Sequence, residues 1–308
     1  MKEANLVIPP RSIETHWIHS LLQEAHLIWQ FIWRDVWATI IPGMLFLVAG
    51  WQTQPSSFSG FLACCGCGLL YFLLYIYTFN LANQIVGIEE DRINKPDRPL
   101  VTGTVSYEGA WVRLIVSMEL YTLVGWWFGV LGWALLWQVC IILLNFCGWS
   151  KFWATKNLMM GVGGVALLAA AWHLGTPNTP IPQSAWIWIW VLHIILVPLV
   201  YVQDLRDMEG DRLIGRNTAP LAFGENTARV LLCLGFIVSP FVTHYGYGLI
   251  VAAGNILNVV LWGFGIAAIN WTMAVRVIFC RSPQADHRTY MMFVYWYCFS
   301  IASAIVVL

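Results

Sequence analysis

The run Asn83-Gln84-Ile85-Val86-Gly87-Ile88-Glu89-Glu90-Asp91-Arg92-Ile93-Asn94-Lys95-Pro96-Asp97-Arg98-Pro99 breaks with what precedes it. A long apolar stretch leads in, and then four acids and three bases fall close together. A second run, Gln203-Asp204-Leu205-Arg206-Asp207-Met208-Glu209-Gly210-Asp211-Arg212, repeats the pattern after another apolar stretch. Two charged clusters on the ends of apolar helices are where chemistry is expected in an otherwise greasy chain.

Composition sets the fold class. Apolar residues make up 59% of the chain, charged residues only 10%, and the mean hydropathy is +0.68. A soluble domain needs more surface charge, so the chain reads as a multi-spanning, all-α integral membrane protein. Many of the nineteen Trp belong at membrane interfaces, and some are free to line a cavity. The formal net charge is zero, which gives no argument for a nucleic-acid or acidic partner, and no protein partner is implied. Cys64, Cys65 and Cys67 lack the paired spacing of a zinc site and read as small packing residues. No leader with a cleavage site opens the sequence, so the first span is expected to target the chain.

Working outward from the clusters, residues 1–30 form an amphipathic cytosolic segment and 31–308 a single transmembrane domain. Nine spans are expected, near 36–51, 58–86, 106–131, 133–149, 157–174, 185–202, 227–245, 248–275 and 289–308. Ser106 reads as an N-cap of the third, with Glu108 in its first turn. With the connections numbered alternately, all sixteen Lys and Arg fall on the side of the N-terminus. The positive-inside rule then places the N-terminus and both clusters in the cytosol. The clusters end the second and sixth spans, a weak internal repeat of two facing halves.

On a continuous helix Asn83, Gly87 and Asp91 cover an arc of ~80°, and Asp204, Asp207 and Asp211 an arc of ~60°. Carboxylates sharing a face repel unless something cationic lies between them. Oxygen donors without thiolate or imidazole suit Mg²⁺, which takes one or two carboxylates plus substrate phosphates. Arg92, Lys95, Arg98, Lys151, Lys156 and Arg212 sit on the same side and are candidates to neutralise a diphosphate. The bland alternative is a set of juxtamembrane salt bridges with no ligand.

These motifs resemble those of the UbiA superfamily of intramembrane prenyltransferases, whose signature is an Asn followed by Asp at +4 and +8 and a second Asp-rich helix end. Asn83, Asp91 and Asn94-Lys95-Pro96 match the first motif; Asp204, Asp207, Glu209-Gly210-Asp211, Gly215 and Thr218 match the second. The likeness covers essentially the whole chain and implies a helical bundle around a central cavity. It also implies that Asn83 and Asp91 on one side, with Asp204, Asp207 and Asp211 on the other, bind Mg²⁺ and a prenyl diphosphate within the bilayer. Bases of the loop caps would hold the diphosphate while the C1–O bond breaks to an allylic cation. The sequence departs from the pattern at Gly87, where the family usually has Asp. Glu90, about 100° off the Asp91 position on a continuous helix, is the candidate substitute ligand.

What captures the cation stays open. The segment 148–157 is aromatic with only two bases, unlike the basic patch of several aromatic prenyltransferases. The first motif looks more like a fungal UbiA-type group that includes membrane sesquiterpene cyclases of the bergamotene-synthase kind. The favoured expectation is therefore cyclisation of farnesyl diphosphate, with transfer to an aromatic acceptor as the alternative and a non-catalytic paralogue or transporter behind it. The compartment implied is an internal membrane, the endoplasmic reticulum if the fungal likeness holds. Glu119 is a candidate deprotonating base or a buried hydrogen-bonding group between helices. His173 and His193 read as helix-to-helix hydrogen-bonding residues before catalysts, and Tyr201 as cavity mouth or aromatic belt.

Overall fold

The structure is a computed structural model describing residues 13–177, 179–250 and 256–308. Expectations for residues 1–12, Asn178 and 251–255 lie outside the described residues. The elements are α1 (Ile13–Ile32), α2 (Ile40–Thr53), α3 (Phe58–Val86), α4 (Ile88–Asn94), α5 (Pro99–Thr102), α6 (Tyr107–Trp127), α7 (Leu131–Asn145), α8 (Trp153–Gly175), α9 (Gln183–Leu199), α10 (Asp204–Leu213), α11 (Ala219–Phe223), α12 (Glu225–Ile250), α13 (Ile256–Phe279), α14 (Pro283–Ala302) and α15 (Ala304–Val307).

The helix starts follow local chemistry. Ser57, Ser106 and Ser282 each accept a backbone N–H three residues on, capping α3, α6 and α14 as Ser106 was expected to do. Pro42 sits in the first turn of α2, where its missing N–H costs nothing. Leu21–Ala38 and Ile40–Thr53 meet at a 57° bend, so the first span enters through a kinked 3-10 stretch, Trp33–Ala38. The seventh helix, α12, continues to Ile250 through Gly246 and Gly248, beyond the turn expected near 245–248, glycine being common in membrane helices.

Among the described residues ten helices have fourteen residues or more, α1, α2, α3, α6 to α9 and α12 to α14, and the last nine of them lie where spans were expected. Six are long and apolar enough to cross a membrane, or seven if the bent pair is one span. Arg113 and Glu119 lower the hydropathy of α6, and α7 is a fifteen-residue helix, so neither meets that measure alone.

Helix α8 is the centre, packed on α2, α3, α7 and α9. Its buried face is built from Gly161, Gly163, Ala166, Ala169, Ala170 and Ala171. Small residues let backbones approach where lipid gives helices no hydrophobic reason to associate. At Gly163 the indole of Trp137 from α7 lies against the backbone, where a Cβ would overlap it.

Candidate active site

Both charged clusters become short helices capping one end of the bundle. α3 ends at Gly87, whose φ of −98° and ψ of 15° turn the chain slightly before α4, although Asp91 N still bonds Gly87 O at 2.9 Å. α9 contains Pro198, gives way to a 3-10 turn over Val200–Gln203, and resumes as α10. Proline cannot complete the helical ladder, which is why the chain re-aims there. α4 and α10 pack together. Gly210 makes that approach possible, since a Cβ there would overlap the Asn94 side chain. Beside them, Asn217 N donates to Lys151 O at 2.7 Å and Trp153 N to Asn217 O at 3.0 Å, tying the start of α8 to the loop after α10.

Ion pairs join the two halves. Arg98 donates to Asp91 at 2.6 Å and to the Asn83 side-chain carbonyl at 3.1 Å, so both side chains converge on one guanidinium. Lys95 Nζ stands 3.8 Å from both Glu90 and Asp91. Lys156 reaches across from α8 to Asp204 at 2.6 Å. Arg216 bridges the motifs, 2.5 Å from Glu90 and 3.2 Å from Asp211. Arg206 pairs with Asp207 at 3.4 Å and lies 4.2 Å over the Tyr290 ring. Burial pushes the Asp91 carboxyl above its ordinary range, and the positive charges of Arg98 and Lys95 offset part of that rise. Asp97, more open and hydrogen-bonded by Arg34, is held below its ordinary range.

A cavity of about 210 Å³ opens beneath this cluster. Its rim carries Asn83, Glu90, Lys95, Lys156, Arg206 and Asp207, with Arg98 and Arg216 alongside. Asp91, Asp204 and Asp211 do not line it; they are buried one layer back, gripped by the bases. Below the rim the walls become aromatic. Tyr75 and Trp137 stack in parallel with centroids 4.5 Å apart, and Phe79 adds a third ring 5.4 Å from Trp137. Trp137 Nε1 donates to Tyr75 O at 3.0 Å, which fixes the indole plane against the cavity. A second chamber of about 820 Å³ shares Asp35, Lys95, Arg98, Arg206, Asp207 and Tyr290 with the first.

Several expectations need correcting. Arg92 is exposed and paired with Glu89, and Lys151 and Arg212 are exposed as well, so none of the three reaches the rim. Arg92 and Arg212 sit on the outer faces of α4 and α10, and Lys151 ends the 3-10 turn Trp149–Lys151 between α7 and α8. Glu90 points inward, not off to one side, because α4 restarts after Gly87 instead of continuing the α3 wheel. Glu119 faces outward among exposed aliphatic side chains on α6, and Arg113 pairs with Glu24 instead. Tyr201 is buried outside the cavity, its hydroxyl donating to Ala228 O at 3.2 Å. His173 lines a separate pocket near Trp126 and Thr176, and His193 bonds its own helix instead of a neighbour. Asp35, Arg206 and Arg216 belong to the site and were missed. A signal existed for Arg216: Gly215 adopts φ +70° after α10 and returns Arg216 N to Asp211 O at 2.9 Å.

The donor set fits a magnesium ion in a limited sense. Among the described residues no three carboxylate, imidazole or thiol groups converge as a ready cage. Yet Asp204 Oδ2 and Asp211 Oδ2 are buried without hydrogen-bond partners, and Glu90 and Asp207 face the cavity from opposite motifs. One or two carboxylates with phosphate oxygens and waters are what Mg²⁺ ordinarily accepts.

The UbiA prenyltransferase family matches residues 36–297. The chain belongs to that family. It is 42% identical over 286 residues to a somaliensene A/B synthase of Streptomyces somaliensis, covering 92% of this chain and 93% of that one. A diterpene cyclase of Hericium erinaceus is 32% identical over 286 residues, with 92% and 88% covered. A polyprenyl transferase of the same fungus is 30% identical over 278 residues, with 90% and 92% covered. Among solved structures, a UbiA homologue from Archaeoglobus fulgidus bound to GPP and Mg²⁺ shares the fold at a TM-score of 0.63, with 16% identity and 90% and 99% of the two chains covered. The chain is thus a multi-pass membrane enzyme of the prenyl-diphosphate-using UbiA superfamily, and its relatives include both terpene cyclases and transferases.

Proposed function

We propose that this enzyme ionises a prenyl diphosphate at the rim and cyclises the released chain in the aromatic cavity, at the cytosolic face of its membrane. The observation that carries the reading is the direct passage from a rim of eight charged or amide side chains into a cavity walled by Tyr75, Phe79 and Trp137. Lys95, Arg98, Lys156, Arg206 and Arg216 would hold the diphosphate oxygens as charge develops on the leaving group. Mg²⁺, when bound, would supply further neutralisation of that charge. Asn83, Glu90 and Asp207 would hold it from the rim, with Asp91, Asp204 and Asp211 behind them. Ring faces below the rim attract a carbocation and exclude the water that would quench it.

Arg98 and Arg216 have a second role. Each bonds carboxylates now, so a bound metal would take over those acids and free guanidinium groups for the phosphates. Farnesyl diphosphate is the expected donor, and geranylgeranyl diphosphate, the precursor of diterpenes, is its longer competitor. Transfer to an acceptor has one observation in its favour: the second chamber, which shares Arg98 and Arg206 with the first and has room for another molecule.

The deciding experiment incubates purified enzyme in lipid nanodiscs with Mg²⁺ and either donor, without acceptor. A metal-dependent cyclic hydrocarbon is the expected product. Intact diphosphate in those tubes, with prenylated product once phenolic acceptors are added, would turn the reading to transferase.

A further inference from the structure

One acid of the cavity stands apart from the ion pairs. Asp35 lies in the kinked 3-10 stretch Trp33–Ala38 that leads into α2, and it lines both the cavity and the second chamber. Its Oδ2 accepts from Asn80 Nδ2 at 2.9 Å, and the same amide donates to the Phe31 carbonyl at 2.9 Å. The Asp35 backbone carbonyl accepts from the Thr39 hydroxyl at 2.6 Å, so the kink is tied on both sides. Each of these partners is neutral. Among the described residues no Lys, Arg or His comes within ion-pair distance of Asp35, and its Oδ1 has no hydrogen-bond partner. The acids of the rim are held differently, Glu90 by Lys95 and Arg216 and Asp207 by Arg206. An unpaired carboxylate in a cavity wall is costly unless positive charge arrives to meet it.

Its depth follows from Asn80. That residue lies three positions before Asn83 on α3, roughly 4.5 Å below the rim at the rise of an α-helix, and directly after Phe79. Asp35 therefore stands where the aromatic wall begins, just under the diphosphate site. A ring closed onto C1 holds its charge at this level. C1 carries the diphosphate, so it is the carbon nearest the rim, and a double bond of the same chain that attacks C1 is drawn up to it. The new cation is the other carbon of that double bond, in the ring or on its edge, within a ring's width of C1. The walls formed by Tyr75, Ile76, Phe79, Trp137 and Leu144 offer no proton acceptor comparable to a carboxylate.

We infer that Asp35 Oδ1 is the base that ends the reaction, an inference resting on the cyclase reading above. The C1–O bond breaks and its electron pair leaves with the diphosphate. The attacking double bond supplies the pair for the new C–C bond and leaves its far carbon cationic. A C–H bond beside that carbon then breaks, its electron pair becomes a C=C bond, and the proton joins Oδ1 to give a carboxylic acid. Nothing is oxidised or reduced. Asp35 also faces the second chamber, and the proton passes on to water there. The bond from Asn80 occupies Oδ2 and leaves Oδ1 as the free oxygen.

The test separates ionisation from termination. Asp35→Asn keeps the size of the side chain and can still accept from Asn80, but it is no base. In nanodiscs with Mg²⁺ and the donor that the wild type uses, released diphosphate and hydrocarbon products are measured side by side. Hydrocarbon formed per diphosphate released is expected to fall by about 100-fold, the scale of a general base. Water-trapped alcohols and other double-bond isomers should take its place. A structural role alone would lower both readings together and keep the product spectrum, and that outcome would overturn the inference. So would hydrocarbon in wild-type proportion to diphosphate, which would leave the released diphosphate as the base. If Asp35→Asn does not insert or fold, Asn80→Ala carries the test, since it keeps the carboxylate and removes the bond that aims it. The expected result is the same change of products, and an unchanged spectrum there counts against Asp35. A wild type that forms no hydrocarbon without acceptor fails the cyclase reading itself, an outcome visible before any variant is made.

Discussion

The two motif helices make an instructive pair. α10 presents three aspartates at helical spacing, two of them fully buried and each joined to a base from its own segment or from α8. α4 starts after Gly87, where the resemblance predicts an acid, and of its three carboxylates Glu90 and Asp91 are buried while Glu89 is exposed and paired with Arg92. The halves are nevertheless closed by matching cations: Arg98 grips Asn83 and Asp91, and Arg216 spans Glu90 and Asp211. A Cβ at Gly87 would stand 3.7 Å from Glu90 Oε2 but only 2.8 Å from the Asn83 backbone carbonyl oxygen, so an acid there also requires the end of α3 to shift. The longer Glu side chain, three residues on, therefore reaches the neighbourhood that a shorter acid at position 87 would occupy. A site of this kind constrains where the oxygens lie more than which residue supplies them.

The largest effect should come from removing a carboxylate that either half relies on. Asp207→Ala and Asp91→Ala are each expected to lower diphosphate release by about 100-fold or more while membrane insertion is retained. Full activity in both would break the assignment of the site. Next in size, Glu90→Gln should weaken Mn²⁺ binding, read by electron paramagnetic resonance, by about 10-fold or more. Gly87→Asp in the Glu90→Gln background should restore part of that affinity. Gly87→Ala in the same background controls for the crowding of the Asn83 carbonyl by a Cβ, and recovery no better with Asp than with Ala would show that position 87 does not serve the metal. Arg216→Ala should then cost about 10-fold in activity, since it removes one phosphate contact and leaves Glu90 and Asp211 less anchored. Arg92→Ala, Lys151→Ala and Arg212→Ala should be almost silent in the same assay, because exposed charges outside the rim contribute about 0–1 kcal/mol. A large loss in any of these three would mean that its cap turns inward with substrate bound.

Much of the site was legible because charge in a membrane chain is rare and therefore informative. Lys95, Arg98, Lys156 and the five motif residues Asn83, Asp91, Asp204, Asp207 and Asp211 were marked by sitting at helix ends next to long apolar runs. They do come together in space. What failed was direction. Arg92 and Arg212 are as close in sequence to the motifs as Lys95 and Arg206, yet they point outward. A helical wheel drawn through Gly87 assigns the wrong side to Glu90, because that small break resets the azimuth of α4. Glu119 shows the same limit on α6: an acid in an apolar helix suggested an interior position, and packing put it outside.

The sequence alone determined the membrane class, the order of the helices and the two acidic caps, since hydropathy and helix capping are local properties that each segment carries with it. The tertiary structure decided which charges face the cavity and that Asp91, Asp204 and Asp211 sit one layer behind it. Those outcomes depend on how neighbouring helices turn against one another, and the small residues of α8 and the breaks at Gly87 and Pro198 set that rotation only once the bundle is assembled.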